Sequence, residues 1–234
     1  AKSKKVPPPN AGTLSLLRQI GGTEPMTRFV TDVKGPVTYW SKDQKKSIPV
    51  VDITTRYRYF ITFTDLISGW SRVYGMISYS DIVPSTASFL RHVTRAGHRP
   101  RMLRSDNFSN YRSAAMRELL DHYDMEQQFI VPYCSWMIGK AEKLNHTLWS
   151  AATALLYAAR LEPCFWWLAV AHANWLRNYL PHANGSTPTS RLHGNSNLDG
   201  SIIKSLHTFG DDAVAFRSNG KTGALNVKGR LGIW

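Results

Sequence analysis

RMLRSDNFSNYRSAAMRELLDHYDMEQQFIV, residues 101–131, is the stretch from which the fold class of this chain can be read. It opens with a short strand at residues 101–104 and closes with another at 126–131. Between them, residues 111–123 carry Ala115, Met116, Leu119 and Leu120 at helical spacing. A strand, a helix and a strand in one such run bring the chain back to the same side of a sheet, which points to an α/β domain. Asp106 comes directly after the first strand, flanked by Ser105 and Asn107, at the strand's carboxyl end.

Upstream, residues 28–34 read as a strand that Gly35-Pro36 ends, because proline has no ladder donor and glycine weakens strand structure. Asp32 therefore sits near a strand end. A polar stretch follows at residues 41–47. Residues 57–64 and 73–79, rich in aromatic and β-branched side chains, predict two antiparallel strands either side of Ser68-Gly69. Ser80 or Asp81 can cap a helix to about Ala96, with Pro84 in its first turn and Gly97 as its stop.

Downstream, residues 132–139 read as a loop and residues 140–160 as a long helix with Glu142 in its first turn. A second helix follows Pro163 at residues 165–179, then a loop rich in Asn, Gly, Ser and Pro at 181–200. Short strand-like pieces such as residues 213–216 suggest the start of a small β unit. The expected organisation is a basic, proline-containing linker at residues 1–26, a mixed-sheet α/β core at 27–200, and the beginning of a C-terminal β unit at 201–234.

Lys and Arg number 29 against 16 Asp and Glu, a formal net charge of +13, which favours a polyanionic partner, nucleic acid first. The bland alternative is a basic solvated surface, and composition does not separate the two. Cys134 and Cys164 stand in different contexts with no closely spaced His pair, so neither a zinc site nor a disulfide framework is legible. The longest strongly apolar run, residues 164–171, is too short to cross a bilayer, and no membrane span is expected.

Cleaving and joining a phosphodiester requires an activated hydroxyl and a stabilised leaving oxygen. Two divalent metals about 3.5–4 Å apart can supply both, provided carboxylates from separate elements converge to hold them. Magnesium takes oxygen ligands and keeps several waters, so three acidic side chains plus substrate phosphates suffice. Asp32 and Asp106 lie at strand ends, and Glu142 follows Asp106 with 35 residues between, enough for a helix, a strand and a return. Singly, each acid reads as a turn residue, a cap or a first-turn charge; their joint context carries the functional reading. Asp65 and Asp52 compete for the role of first carboxylate, but neither is followed by Gly-Pro.

With those residues in view, the chain resembles the retroviral-type integrases, closest in flavour to those of copia-type retrotransposons. The signatures are Thr31-Asp32-Val33-Lys34-Gly35-Pro36, Arg104-Ser105-Asp106-Asn107 and the run GKAEKLNHTL at residues 139–148. The likeness extends to the run YFITFTD at residues 59–65 with Ser71-Arg72, to Phe165-Trp166-Trp167, and to Leu206-His207-Thr208-Phe209-Gly210 and Gly229-Arg230-Leu231-Gly232. It implies an RNase H-like fold with a mixed five-stranded sheet flanked by helices. It also implies Mg²⁺ or Mn²⁺, two ions, held by Asp32, Asp106 and Glu142. The implied reaction is 3′-end processing followed by strand transfer into target DNA. A homodimer or higher oligomer and a nuclear site of action, as part of a retrotransposon polyprotein product, are implied as well.

Two departures from the family pattern stand out: Phe108 where Gly is usual after Asp-Asn, and Ile138 at a normally polar position. Alternatives are a decayed or domesticated core that only binds DNA, and an RNase H-like nuclease without strand transfer. Lys140, Lys143, Asn145, His146 and Arg104 are the candidate DNA contacts. Asn145 and His146 share the helical face of Glu142, and Lys143 and His146 stand where the family usually has Arg. Trp149, Trp166, Trp167, Trp175 and Tyr179 read as packing or subunit interface.

Overall fold

The computed structural model describes residues 24–41, 43–130, 139–181, 185–194, 207–216 and 229–233. Most of the linker at 1–26, the loop at 131–138 that contains Ile138, and residues 217–228 lie outside the described residues.

Five strands form the main sheet: β1 (Arg28–Lys34), β4 (Tyr59–Asp65), β5 (Ser71–Met76), β6 (Met102–Ser105) and β7 (Glu126–Phe129), in the order β5-β4-β1-β6-β7. β4 runs antiparallel to β1 with Asp32 opposite Thr62, and β5 antiparallel to β4. β6 runs parallel to β1, and β7 to β6. The sheet is therefore mixed, as the meander followed by strand–helix–strand predicted. Its β1 is the strand read from sequence, residue for residue.

Alternation along β1 sends Phe29 to one face and Val30 to the other. On the Phe29 side, α1 (Ile82–Arg95) and α2 (Ala114–His122) close the larger core, in which Phe63 stacks on Phe89 at 4.3 Å and Phe29 meets the same ring edge-on. On the Val30 side lie α3 (Gly139–Ala158) and α4 (Trp166–Tyr179): Ala141 packs on Val30, and Ala152, Trp166 and Ala169 pack with Phe60. Asp32, two residues beyond Val30, faces the first turns of α3. Trp149 packs against Trp166 at 6.4 Å, the packing role expected of it.

A network of amides pins α4 to the edge strand. Asn178 donates to the Ser71 carbonyl and accepts from the Ser71 amide, at 2.7 and 3.0 Å, and Asn174 donates to the same carbonyl at 3.0 Å. The exposed side of β5 would otherwise leave these backbone groups without partners. At the far end of β1, Gly35 has φ +138°, and a Cβ there would meet the Arg58 carbonyl at 2.9 Å and the Tyr59 ring at 2.6 Å. Glycine is required twice over, by backbone conformation and by close approach.

Two segments differ from the reading of the sequence. The polar stretch at 41–47 contributes to a small hairpin, β2 (Thr38–Ser41) with β3 (Lys46–Pro49), where cross-strand pairing outweighs poor strand propensity. The loop at 181–200 contains a short helix, α5 (Pro188–His193). Thr187 caps it, Pro188 occupies its first turn and Gly194 ends it in the left-handed region at φ 65°. The same Pro, Ser and Gly residues that signal a loop also punctuate a one-turn helix. Near the C-terminus, β8 (Asp212–Phe216) pairs antiparallel with β9 (Gly229–Ile233), in line with the small β unit expected there, and Phe209 is buried against the α3–α4 core.

Candidate active site

The two aspartates come from neighbouring parallel strands and the glutamate from the helix that covers them. Asp32 is the fifth residue of β1, Asp106 follows the last residue of β6, and Glu142 lies in the first turn of α3. Parallel pairing of β1 with β6 puts the carboxyl ends of both strands at the same end of the sheet, and packing of Ala141 on Val30 brings the start of α3 there too.

Asp32 is mostly buried, and its carboxyl is pushed up to about 6. Loss of hydration is the leading cause; the negative charges of Asp106 and Glu142 push the same way, while a hydrogen bond from Asn145 opposes them. The repulsion marks the three acids as members of one local field. Asp106 and Glu142 are exposed. Among the described residues, no three acids, imidazoles or thiols are drawn together closely enough to form a ready-made metal cage. Oxygen donors that repel one another, one of them half-dehydrated, suit a divalent cation, which would remove the repulsion and replace lost solvation.

Asn145 was expected to contact DNA. It is 3% exposed, and its side-chain nitrogen donates to Asp32 Oδ2 at 2.8 Å, so it faces the carboxylate rather than solvent. Its Oδ1 is buried without a hydrogen-bond partner among the described residues. One turn of helix explains the change: Asn145 shares the buried strip with Ala141, Leu144 and Leu148, whereas Glu142, Lys143 and His146 are exposed. Lys143 and His146 thus flank Glu142 on the solvent side. The side chain of Lys140 lies outside the described residues. Arg104 is half-buried and donates to Gln128 on β7 at 2.9 Å, an intramolecular use of its guanidinium.

The loop that carries Asp106 is held from several sides. Phe108 N donates to Asp106 Oδ1 at 3.1 Å, Asn107 Nδ2 donates to the Ile130 carbonyl at 3.0 Å, and Asn110 Nδ2 donates to the Tyr79 carbonyl at 3.0 Å. Tyr111, which the sequence reading did not single out as a site residue, is buried, and its hydroxyl is 3.3 Å from Thr31 Oγ1. Burial pushes this phenol upward, the Thr31 contact opposes that, and Asp106 and Asp32 add to it. Tyr111 thus ties the Asp106 loop to the strand that carries Asp32. Nothing local in the sequence announces a contact across 80 residues.

The competing acids are otherwise engaged. Asp65 pairs with Phe29 at the opposite end of β1 from the site and accepts from Ser68 N and Oγ at 2.7 and 2.6 Å. Asp52 accepts from the amides and hydroxyls of Thr54 and Thr55 and, through its other oxygen, from Trp167 N at the start of α4.

Comparison with known proteins bears on the fold that carries these residues. A family model described as Integrase core domain matches residues 22–135. The Retrovirus-related Pol polyprotein from transposon TNT 1-94 of Nicotiana tabacum is 30% identical over 125 residues, covering 53% of this chain and 9% of the polyprotein. The Transposon Ty1-LR3 Gag-Pol polyprotein of Saccharomyces cerevisiae is 25% identical over 205 residues, covering 86% of this chain and 11% of its own length. This chain therefore spans about a tenth of the curated relatives it matches.

Among solved structures, the HTLV-2 integrase catalytic core domain in complex with magnesium superposes with a TM-score of 0.53 at 20% identity, covering 74% of this chain and 99% of that one. The simian T-cell lymphotropic virus intasome in complex with PP2A regulatory subunit B56 gamma gives 0.57 at 17% identity, covering 89% and 67%. At these identities the likeness is one of fold, the RNase H-like mixed sheet flanked by helices. Sheet order, the domain matched over residues 22–135 and the transposon relatives agree in likening this chain to the retroviral-type integrase catalytic cores.

Proposed function

We propose that this chain is the catalytic part of a DNA strand transferase that processes the 3′ ends of retrotransposon DNA and joins them to a target duplex. The observation that carries the reading is the placement of three acids from β1, the β6 end and α3 at one end of the sheet, where burial first, and then the charges of Asp106 and Glu142, push the Asp32 carboxyl up to about 6. Asp32, Asp106 and Glu142 would hold Mg²⁺ or Mn²⁺. When bound, the metal activates the attacking hydroxyl and stabilises the leaving oxygen.

The remaining work belongs to the protein's own groups. Asn145 holds Asp32 in one rotamer, the Asn107, Asn110 and Tyr111 contacts fix the Asp106 loop, and Lys143 and His146 offer positive or hydrogen-bonding groups to phosphates beside Glu142. Water is the nucleophile of end processing and a DNA 3′ hydroxyl that of joining, with no covalent protein intermediate. A net charge of +13 supports a DNA partner. Exposed Tyr157, Leu168 and Trp175 on α3 and α4 support self-association. A nuclear site of action follows from the same reading. No helix among the described residues is long and apolar enough to cross a membrane.

The test incubates the protein with labelled element-end duplexes in Mg²⁺, Mn²⁺ or EDTA, beside Glu142→Gln, with flanking domains of the polyprotein restored. Metal-dependent nicked and joined products that vanish in the variant are expected. Nicks without joining would favour a nuclease, and salt-sensitive DNA binding without products in either protein would favour a decayed core.

A further inference from the structure

Phe108, the residue that departs from the family's usual glycine, heads a ladder of aromatic rings beside the acids. Its ring centroid lies 4.8 Å from that of Tyr79, and the Tyr79 ring lies 4.7 Å from Tyr59. Phe108 is 39% exposed although it is a large apolar side chain, while Tyr79 and Tyr59 behind it are half-buried. The guanidinium of exposed Arg58 lies over the Tyr59 ring at 6.0 Å.

The backbone that carries this ring is also held in place. The Phe108 amide donates to Asp106 Oδ1, the Phe108 carbonyl accepts from Tyr111 N at 3.0 Å, and Asn110 ties the same turn to the Tyr79 backbone. The backbone that carries the aromatic ring is therefore fixed two residues from a carboxylate proposed to hold the metal that would engage a DNA phosphate. Aromatic faces take bases of any sequence by stacking, whereas bases paired within a duplex are already stacked on their neighbours.

We propose that Phe108, backed by Tyr79 and Tyr59, is a stacking platform for one unpaired nucleobase adjacent to the phosphate held at the Asp106 end of the site. The occupant is argued from the ladder's position: the Asp106 carboxylate two residues from a partly exposed Phe108 at one end and Arg58 at the other, on a chain of strong positive charge. Phe108 is a positioning residue in this role. It orients the strand and takes no part in bond making. The proposal rests on the strand-transferase reading above.

The test uses the whole chain with Mg²⁺ and a DNA duplex bearing a short single-stranded end, with 2-aminopurine at its first unpaired position, beside a blunt duplex. Anisotropy reads binding and 2-aminopurine quenching reads stacking. The wild type and Phe108→Tyr are expected to quench the probe and to favour the frayed end. Phe108→Leu is expected to lose the quenching and about fivefold or more of its affinity for that end, with blunt duplex unaffected. Equal quenching in Phe108→Leu and the wild type overturns the platform and leaves the strand-transferase reading intact. Failure of the wild type to bind either DNA overturns both. Photocrosslinking of a 5-iodouracil at the same position reads the contact in the unaltered protein. An adduct on Phe108 or Tyr79 supports the platform, and adducts only elsewhere overturn it.

Discussion

Two acid-bearing regions of this molecule, the turn at Asp52 and the end of β1 at Asp32, bury a carboxylate in opposite ways. Asp52 is fully buried and saturated: four donors from Thr54 and Thr55 converge on one oxygen, and the amide of Trp167 reaches the other from the start of α4. Its charge sits at a helix N-terminus, where the helix dipole favours it. Asp32 receives a side-chain donor from Asn145 and faces two further acids. A saturated buried acid holds the fold together. An under-solvated acid among like charges stores repulsion that a cation can relieve.

The largest effect expected from this contrast is on stability at Asp52. Asp52→Ala strips five donors of their acceptor and uncouples the turn from α4, at a cost of about 3 kcal/mol or more in denaturant unfolding. A loss below about 1 kcal/mol would put Asp52 in the same class as Asp32 and break the contrast.

Asp32 should behave in the opposite sense. Its folded value, about 6, lies above the ordinary 3.8. The charged carboxylate therefore disfavours the metal-free fold. Stability from this group is fully present below about pH 4 and is lost as pH rises through about 6, by up to about 3 kcal/mol. Without divalent metal, Asp32→Asn is expected to match the wild type at low pH and to exceed it at neutral pH, while losing DNA joining. Urea unfolding across that window checks the sign, and a variant less stable at neutral pH would refute it.

Asn145→Ala should weaken Mg²⁺ binding about ten- to a hundredfold, because the first carboxylate loses the group that orients it. Titration of the metal against thermal unfolding reads this directly. Unchanged metal affinity together with weakened DNA binding would restore the expectation that Asn145 touches DNA. The smallest effect belongs to the rim. Lys143→Gln should lower DNA affinity by a few-fold and reduce the steepness of its salt dependence by about one counterion, leaving folding unchanged.

The candidate acids were legible because each lies at an element end marked by local signals: Gly35-Pro36 after β1, the strand before Asp106, and a helix start before Glu142. Asn145 was legible as a residue on the site's helix but not in its role. Spacing from Glu142 places it near the same face, and only packing of α3 on β1 decides that it turns inward to Asp32 while His146 turns outward. The helix α5 was hidden because its punctuating residues are those of a loop, and the Asn174–Asn178 clamp on Ser71 because its partners lie over 100 residues apart.

By itself, the sequence determined the alternation of strands and helices, the basic charge and the three acids at element ends, since periodicity, turn chemistry and composition are local properties. Tertiary structure alone decided which acids act on one another and which are saturated, that Tyr111 ties the Asp106 loop to β1, and that the Phe108 ring lies against Tyr79. Those outcomes depend on burial and on contacts between distant segments, and a carboxylate's hydration and neighbours exist only once the sheet and its helices have packed.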